Sequence, residues 1–266
     1  MTVSVADPPR TGAVTQALAL SRRAVISLAR KPAQWISGIL FPLFFAALSA
    51  AAFDNARSLP GFPEVDSYYS FLLPGTLIQA VLFGCLAAGV EMAIDMETGF
   101  FDRLVAMPIS RISILVGRVG GAAVLGAFLA FFFSVVMQIL GGSIQAGLGG
   151  LVVLVLVGSL LGIAVGSFTM AVALRTASQE AINGLFPVTF ALVFFSSAFF
   201  PTALMQGWYR GVAEINPVTI MVNGLRHLVI VGWSYSSALE AVAIAAMFAI
   251  LMLLLALWSL RWRLTR

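Results

Sequence analysis

Long apolar runs separated by short polar segments dominate this chain. Because a helix that crosses about 30 Å of hydrocarbon needs about 20 largely apolar residues, the pattern predicts membrane-spanning helices. Six runs qualify, at roughly residues 33–53, 69–90, 113–140, 146–173, 181–200 and 238–260. A further run at roughly 217–232 is shorter and is interrupted by polar residues, so we interpret it as re-entrant or interfacial.

Composition indicates an all-α, polytopic membrane protein. Of the 266 residues 61% are hydrophobic and 10% are charged, with a mean hydropathy of +1.02, which is too apolar for a soluble domain. The net charge of +4 does not indicate nucleic-acid binding, because the cations lie at the ends of apolar runs and form no basic groove. Cys85, the only cysteine, lies inside an apolar run and is expected to be a buried small hydrophobe.

The distribution of cations predicts the orientation. Six spans place both termini on one side, and the segments on that side carry 12 of the 15 Lys and Arg residues, whereas Arg57, Arg210 and Arg226 lie on the other. The cation-rich side is then cytoplasmic. Fourteen arginines against one lysine are typical of a GC-rich bacterial genome, so we expect a multi-pass protein of the bacterial cytoplasmic (inner) membrane with both termini in the cytoplasm.

The N-terminal segment, residues 1–32, has an amphipathic pattern. Val14, Leu18, Val25 and Leu28 recur near helical spacing, with Arg22, Arg23, Arg30 and Lys31 nearby. This predicts a helix that lies on the inner membrane surface. The alternative is a frayed basic tail that only orients the first span. Residues 33–260 would form the membrane domain, and residues 261–266 a cytoplasmic tail.

The segment after the second apolar run, about residues 93–111, is the most informative part of the chain. It and its flanks carry the carboxylates Glu91, Asp95, Glu97 and Asp102 and the cations Arg103, Arg111 and Arg118. On a helix starting near Asp95, the residues Phe100, Phe101, Leu104 and Val105 make an apolar stripe, and Pro108 ends the helix. We interpret the segment as a docking element for another chain; an ordinary solvated loop helix is the alternative.

Two carboxylates of this region repel each other. Glu91 and Asp95 are four residues apart, so a cationic partner should offset their repulsion. The candidates are Arg22 and Arg23 of the N-terminal segment, or a surface of another subunit.

The sequence offers no energy source or catalytic centre of its own. No Gly-x-x-x-x-Gly-Lys-Ser/Thr phosphate loop occurs, so we expect no nucleotide binding by this chain. The interiors of the predicted spans nearly lack carboxylates and histidines, which argues against coupling to an ion gradient. With one histidine and no clustered ligands, we expect no catalytic residues, no metal site and no cofactor.

Two motifs resemble those of type-2 ABC exporter permeases, particularly the daunorubicin-resistance-like group. The first is Glu97-Thr98-Gly99-Phe100-Phe101-Asp102-Arg103-Leu104 continued to Pro108 and Arg111, in which Phe100 replaces the usual Thr or Ser and Met107 the usual Thr. The second is Asn216-Pro217-Val218-Thr219 followed by Leu225-Arg226.

The resemblance implies that the chain is the membrane-spanning half of an ATP-driven exporter. ATP and Mg would bind to a separate ABC ATPase subunit, present in two copies, and a cytoplasmic coupling helix would fit a cleft of that subunit. The coupling residues carried over from the family pattern are Glu97, Gly99, Asp102, Arg103, Leu104, Pro108 and Arg111.

The resemblance also implies two permease chains, as a homodimer or a heterodimer, with the second and fifth spans lining the pathway. Both spans begin with similar short sequences that contain a proline, at residues 71–76 and 184–189. Proline-interrupted helices in corresponding positions are typical of a transport site. The predicted pathway residues are Phe71, Thr76, Phe83, Phe186, Phe190 and Phe194. The extracellular segment of about residues 201–236 would form short re-entrant helices before the last span, with Asn216, Pro217 and Arg226 at a gate.

The preferred function is export of a hydrophobic or amphipathic compound, such as a drug, a polyketide or a lipid. A permease for polysaccharide or teichoic-acid export is the nearest alternative. A membrane subunit that docks an ATPase without transport, and a secondary antiporter, are the others.

Overall fold

The fold is built from helices throughout the part of the chain that is described. The computed structural model describes residues 13–31, 35–58, 60–107 and 111–265, and within these ranges it contains no β-strand. The α-helices, in chain order, are α1 Ala13–Arg30, α2 Ser37–Phe53, α3 Tyr68–Gly84, α4 Ala87–Glu97, α5 Phe100–Ala106, α6 Arg111–Ile139, α7 Gly147–Thr176, α8 Gln179–Asn183, α9 Phe186–Phe194, α10 Gly207–Ile215, α11 Pro217–Ile230 and α12 Tyr235–Leu264.

Four helical stretches of the described residues are long and apolar enough to cross a membrane. They are Tyr68–Glu97, which joins α3 and α4, then Ile112–Ile139, Gly147–Thr176 and Tyr235–Leu264. They coincide with four of the predicted runs, and the prediction of a membrane protein is confirmed to that extent. The count of six spans stays a prediction, because the remaining apolar helices are shorter.

The shorter apolar helices differ from the predicted spans in their detail. The first predicted span corresponds to α2, which begins only at Ser37. The fifth is shorter than predicted and ends at Phe194, and a turn at Gly184 and Leu185 separates α8 from α9, as a turn at Cys85 and Leu86 separates α3 from α4. The run at 217–232 forms α11, a helix of 14 residues, as its short length and interrupted pattern indicated.

Local capping explains where several helices begin. The side chains of Ser67, Ser178 and Ser234 each accept a hydrogen bond from a backbone amide in the first turn of α3, α8 and α12. Asn216 does the same for α11 by accepting from the Val218 amide, and Pro217 follows as the first helical residue. Such caps satisfy amides that have no partner within the helix.

Helix α3 lies at the centre of the fold. Every residue from Ser70 to Cys85 is buried, and the helix packs against α2, α6, α7 and α11. Helices α6 and α7 approach each other through small residues: a Cβ on Gly126 would lie 2.2 Å from the Gly158 carbonyl oxygen. Small residues at such crossings let helix backbones approach closely in a membrane.

We predict that Gly126→Ala destabilises the fold, because its methyl group would overlap the backbone of α7 and force the helices apart. The expected loss is about 1–3 kcal/mol in the free energy of unfolding, measured by denaturant titration in detergent micelles. Gly211→Ala on α10 is the matched control, since nothing lies within 4 Å of its Cβ position. Equal stabilities for the two variants would contradict the close approach.

Candidate functional site

A cluster of charged side chains joins α1, α4 and α6, and we name Ser27, Lys31, Glu91, Asp95 and Arg118 the inner polar cluster. Glu91 on α4 accepts hydrogen bonds from Lys31 Nζ at 2.6 Å and from Ser27 Oγ at 2.9 Å. Asp95, one turn further, forms an ion pair with Arg118 of α6, and both side chains are largely buried. A cationic partner was expected for both carboxylates, but the structure supplies Lys31 and Arg118 in place of Arg22 and Arg23.

Helix α1 packs directly on the membrane-spanning helices. Ser21 and Ala24 face Gly120 and Gly121 of α6, where an added Cβ would lie 2.4 and 2.7 Å from their side chains. The Arg23 guanidinium lies 4.2 Å from the ring centroid of Phe100 on α5, within the range of a cation–π contact. Residues 13–30 of the predicted N-terminal segment therefore form a helix packed against α5 and α6 and not a frayed tail, whereas residues 1–12 and 32 lie outside the described residues. The position of this helix on the membrane surface stays a prediction.

The predicted coupling helix is two helices separated by a glycine. Gly99 has φ +66°, a left-handed conformation that favours glycine, and it breaks the helix between α4 and α5. The prediction of one helix starting near Asp95 is therefore wrong, because Asp95 belongs to α4 and α5 begins at Phe100. The predicted apolar stripe is present, since Phe101 and Leu104 are 2% and 4% exposed.

The remaining predicted coupling residues lie around this break. Asp102 and Arg103 are exposed on α5, and Arg103 Nε donates to the Gly99 carbonyl at 3.4 Å. Glu97 accepts hydrogen bonds from the Gln179 side chain at 2.6 Å and from its backbone amide at 3.4 Å, which ties α4 to α8. Sequence reasoning gave no role to Gln179. It directly follows the Ser178 cap, so its backbone amide lies in the first turn of α8 and is free of a partner within that helix.

The end of α5 agrees with the sequence as far as the structure describes it. Met107 has an extended backbone with ψ 155°, as expected for a residue that precedes proline. Pro108 itself lies outside the described residues, and Arg111 is the first residue of α6.

Phenylalanines on α9 form a row that packs against α2 and α3. The rings of Phe190 and Phe194 stack at 4.1 Å, and Phe186 stacks on Phe83 of α3 at 4.8 Å. Phe41 of α2 contacts Phe83, Phe186 and Phe190, and its neighbour Phe45 contacts Phe194 at 5.4 Å. We name the set Phe41, Phe45, Phe83, Phe186, Phe190 and Phe194 the aromatic row.

The six predicted pathway residues are not equivalent in the structure. Phe83, Phe186, Phe190 and Phe194 belong to the aromatic row, whereas Phe71 and Thr76 are fully buried in the packed core. Thr76 Oγ1 donates to carbonyl groups of its own helix. Sequence reasoning missed Phe41 and Phe45, because nothing distinguishes them locally from the other phenylalanines of α2.

An apolar groove of about 240 Å³ runs beside the outer surface of α9. Val188 and Leu192 of α9 form one wall and are 58% and 43% exposed. Residues of α3, α7, α11 and α12 form the rest, and Thr189 is its polar member. The groove and the aromatic row lie on different sides of the same short helix.

Two polar side chains, one on α11 and one at its cap, bind carbonyl groups in the last turn of α9 and in the segment after it. We name Asn216 and Arg226 the outer polar pair. Asn216 Nδ2 donates to the carbonyls of Leu192 and Phe195 at 2.8 and 2.9 Å. Arg226 Nη2 donates to Ser197 and Ala198 at 2.7 and 3.3 Å.

Arg226 also binds the central helix. Its Nε donates to the Phe71 carbonyl at 3.3 Å, and its guanidinium lies 3.9 Å from the Phe71 ring centroid. The predicted gate residues therefore come together at one place, with Pro217 as the first residue of α11. Their role as a gate stays a prediction.

The described residues contain no group of three or more His, Cys, Asp or Glu side chains arranged to hold a metal ion. The hydrogen bonds and ion pairs of the inner polar cluster and of the outer polar pair hold helices together. The cluster joins α1, α4 and α6, and the pair joins α3, α9 and α11.

Comparison with known proteins identifies similar chains. Residues 15–230 match the family model of the ABC-2 type transporters. The chain is 31% identical over 229 residues to a putative transport permease, ycf38, of Cyanophora paradoxa, covering 85% of this chain and 78% of that protein. It is 28% identical over 223 residues to the daunorubicin resistance ABC transporter permease protein DrrB1 of Streptomyces coeruleorubidus, covering 83% and 77%. A probable doxorubicin resistance permease, DrrC, of Mycobacterium tuberculosis is 24% identical, covering 80% and 76%.

We predict that Arg118→Met lowers the free energy of unfolding by about 3–5 kcal/mol, because it leaves the buried Asp95 carboxylate without its cation. The double variant Arg118→Met with Asp95→Leu should recover most of that loss. Unfolding in detergent micelles measures both. Arg210→Ala, which removes the exposed ion pair with Glu214, is the control and should cost about 0–1 kcal/mol. A similar small loss for Arg118→Met would show that its ion pair is not buried in solution.

We also predict that Arg226→Lys lowers the free energy of unfolding by about 1–3 kcal/mol. A lysine keeps the charge but lacks the planar fork, so carbonyl groups of the segment after α9 lose their donors. Thermal unfolding of the purified chain measures the change. Arg57→Lys is the matched control, because Arg57 also binds backbone carbonyls but lies on an exposed turn. The assignment fails if the two variants lose stability equally.

Proposed function

This chain belongs to the ABC-2 type transporter family, and we propose that it is the permease subunit of an ATP-driven exporter for a hydrophobic or amphipathic compound. A drug, a polyketide or a lipid is the expected cargo. The names of the relatives support this choice, since two of them are drug-resistance permeases. The chain is the transport part of the machine, and a partner hydrolyses ATP.

The observation that carries the proposal is the construction of α5. Its apolar side is anchored by the buried Phe101 and Leu104, and its polar residues Asp102 and Arg103 remain exposed. The inner polar cluster attaches the preceding helix α4 to α1 and α6. A short helix held in this way can transmit a push from a partner to the membrane-spanning helices. We propose that the partner is an ABC ATPase, present in two copies and loaded with ATP and Mg.

The proposed topology has six spans with both termini in the cytoplasm of a bacterial cell. Helix α2 and the broken pair α8 and α9 would complete the four long spans. The excess of Lys and Arg near α1, α5 and the C-terminus supports this orientation. Residues 201–236, with α10 and α11, would then form the extracellular re-entrant segment. Residues 33–260 would be the permease domain, with tails at 1–32 and 261–266.

The proposed pathway lies between two permease chains, as a homodimer or a heterodimer. The aromatic row and the groove beside α9 support an apolar cargo, because the side chains that line the groove are apolar apart from Thr189. Phe83, Phe186, Phe190 and Phe194 are the proposed pathway residues. Phe71 and Thr76 would reach a cargo only after the core around α3 opens.

Transport by reconstituted vesicles tests the proposal. The full chain is purified with the ATPase that copurifies with it and is inserted into lipid vesicles, with daunorubicin as the fluorescent probe. ATP-dependent movement of daunorubicin is the expected result. ATP hydrolysis without movement of daunorubicin, of a fluorescent lipid or of a lipid-linked saccharide would indicate a subunit that docks an ATPase without transport. Movement of the saccharide alone would support the polysaccharide alternative, and flux driven by a proton gradient without ATP would indicate an antiporter.

We predict that Arg103→Glu weakens binding of the ATPase subunit by at least about tenfold, because it reverses an exposed charge on the proposed contact helix. ATP-driven movement of daunorubicin should fall with it, whereas membrane insertion stays unchanged. Copurification and vesicle transport measure the two effects. Glu64→Arg is the matched control, since it reverses an exposed charge in the connection between α2 and α3. Unchanged association in Arg103→Glu would contradict the role of α5.

A further inference from the structure

The buried amide of Gln79, in the middle of α3, belongs neither to the inner polar cluster nor to the outer polar pair, and the proposed transport pathway does not use it. Gln79 is 0% exposed, and neither Nε2 nor Oε1 has a hydrogen-bond partner among the residues that the structure describes. An amide kept from water without a partner is costly, so native proteins place such groups rarely and usually for a functional reason. Its neighbour Thr76, by contrast, is satisfied by carbonyl groups of its own helix.

Helical spacing shows which surface of α3 carries this amide. Gly75, Gln79 and Phe83 are four residues apart, so they lie on one face, one turn above another. A Cβ on Gly75 would lie 2.4 Å from the Ala198 carbonyl oxygen, and the Phe83 ring stacks on Phe186. Gln79 therefore lies on the side of α3 that faces α9 and the turn after it.

Helix α9, which packs on this side of α3, is short and largely exposed. Of its nine residues only Thr189 and Val193 are buried, and a turn at Gly184 and Leu185 separates it from α8. Its contacts with α2 and α3 include the ring contacts of the aromatic row, which have no fixed hydrogen-bond geometry, whereas Asn216 and Tyr209 hold its last turn through the Leu192 and Phe194 carbonyls. The groove leaves its other side uncovered at Val188 and Leu192. A displacement of α9 would open a path from that groove to Gln79.

We propose that Gln79 is a cargo-binding residue whose amide becomes accessible when α9 moves. Its NH₂ group would donate to a carbonyl or hydroxyl oxygen of the cargo, and its own oxygen would accept from a hydroxyl or amine. The apolar body of the cargo would lie against the aromatic row. The site thus selects amphipathic molecules that carry a hydrogen-bonding group within an aromatic or apolar frame, over pure hydrocarbons. This inference rests on the proposed export function.

Binding of two fluorescent probes to the full chain in lipid nanodiscs tests the inference. Daunorubicin carries hydroxyl and carbonyl groups, and diphenylhexatriene is a hydrocarbon. Gln79→Met keeps the length of the side chain and removes its hydrogen-bonding groups. We expect about tenfold weaker binding of daunorubicin and unchanged binding of diphenylhexatriene. The melting temperature of the probe-free protein should stay the same or rise, because a buried amide without a partner is removed.

Two further variants separate binding from packing. Gln79→Asn retains the amide and should bind daunorubicin more tightly than Gln79→Met. Ser167→Ala removes another fully buried polar atom that has no partner in the described part of the chain, on α7, and should leave both affinities unchanged. An equal loss for both probes in Gln79→Met, or no loss for either, would overturn the inference.

Vesicle transport distinguishes the failure of this inference from that of the proposed function. If the wild-type chain and Gln79→Met move daunorubicin at the same rate with ATP, the role of Gln79 is wrong and the exporter proposal stands. If the wild-type chain moves none of the probes with ATP, the exporter proposal fails and this inference fails with it.

Discussion

The need to satisfy backbone carbonyl groups within an apolar layer is the constraint on which this structure depends. Helix α9 ends at Phe194, and the turn that follows it is buried, so the carbonyls released there need donors from elsewhere in the chain. Asn216 and Arg226 supply them. Because Arg226 also binds the Phe71 carbonyl, the same interaction fixes α11 against α3. The Asn216 cap and the Arg226 guanidinium, together with the Tyr209 hydroxyl that donates to the Phe194 carbonyl, supply the donors that a short, interrupted helix needs at this place.

At the other end of the stretch formed by α3 and α4, ion pairs hold α4 against its neighbours. Glu91 and Asp95 on α4 bind Lys31 and Arg118, which fixes α1 and α6 against it. The stretch Tyr68–Glu97 therefore reaches from the outer polar pair to the inner polar cluster, with an apolar core between them. In the proposed exporter, this stretch would carry a displacement of α5 towards the aromatic row.

Particular residues show how far the sequence predicted the fold and the site. The four long stretches follow from run length alone, and the short length of α11 follows from its interrupted apolar run. The buried stripe of Phe101 and Leu104 follows from helical spacing. The break at Gly99 was missed, because a glycine in a polar segment also fits a continuous helix. The separate α8 and α9 were missed because hydropathy measures solvent preference and does not register a turn between apolar residues.

The sequence by itself determined the class of protein, the long helices and their caps, since these depend on transfer into hydrocarbon and on contacts between residues a few positions apart. The tertiary structure alone decided which charges pair, for example Lys31 with Glu91 across 60 residues, and which phenylalanines share a row. It also decided that Phe71 and Thr76 lie in the core and that Gln79 is buried without a hydrogen-bond partner among the described residues. The physical reason is that such contacts depend on how helices rotate and cross when they pack, and many rotations satisfy the same pattern of apolar residues.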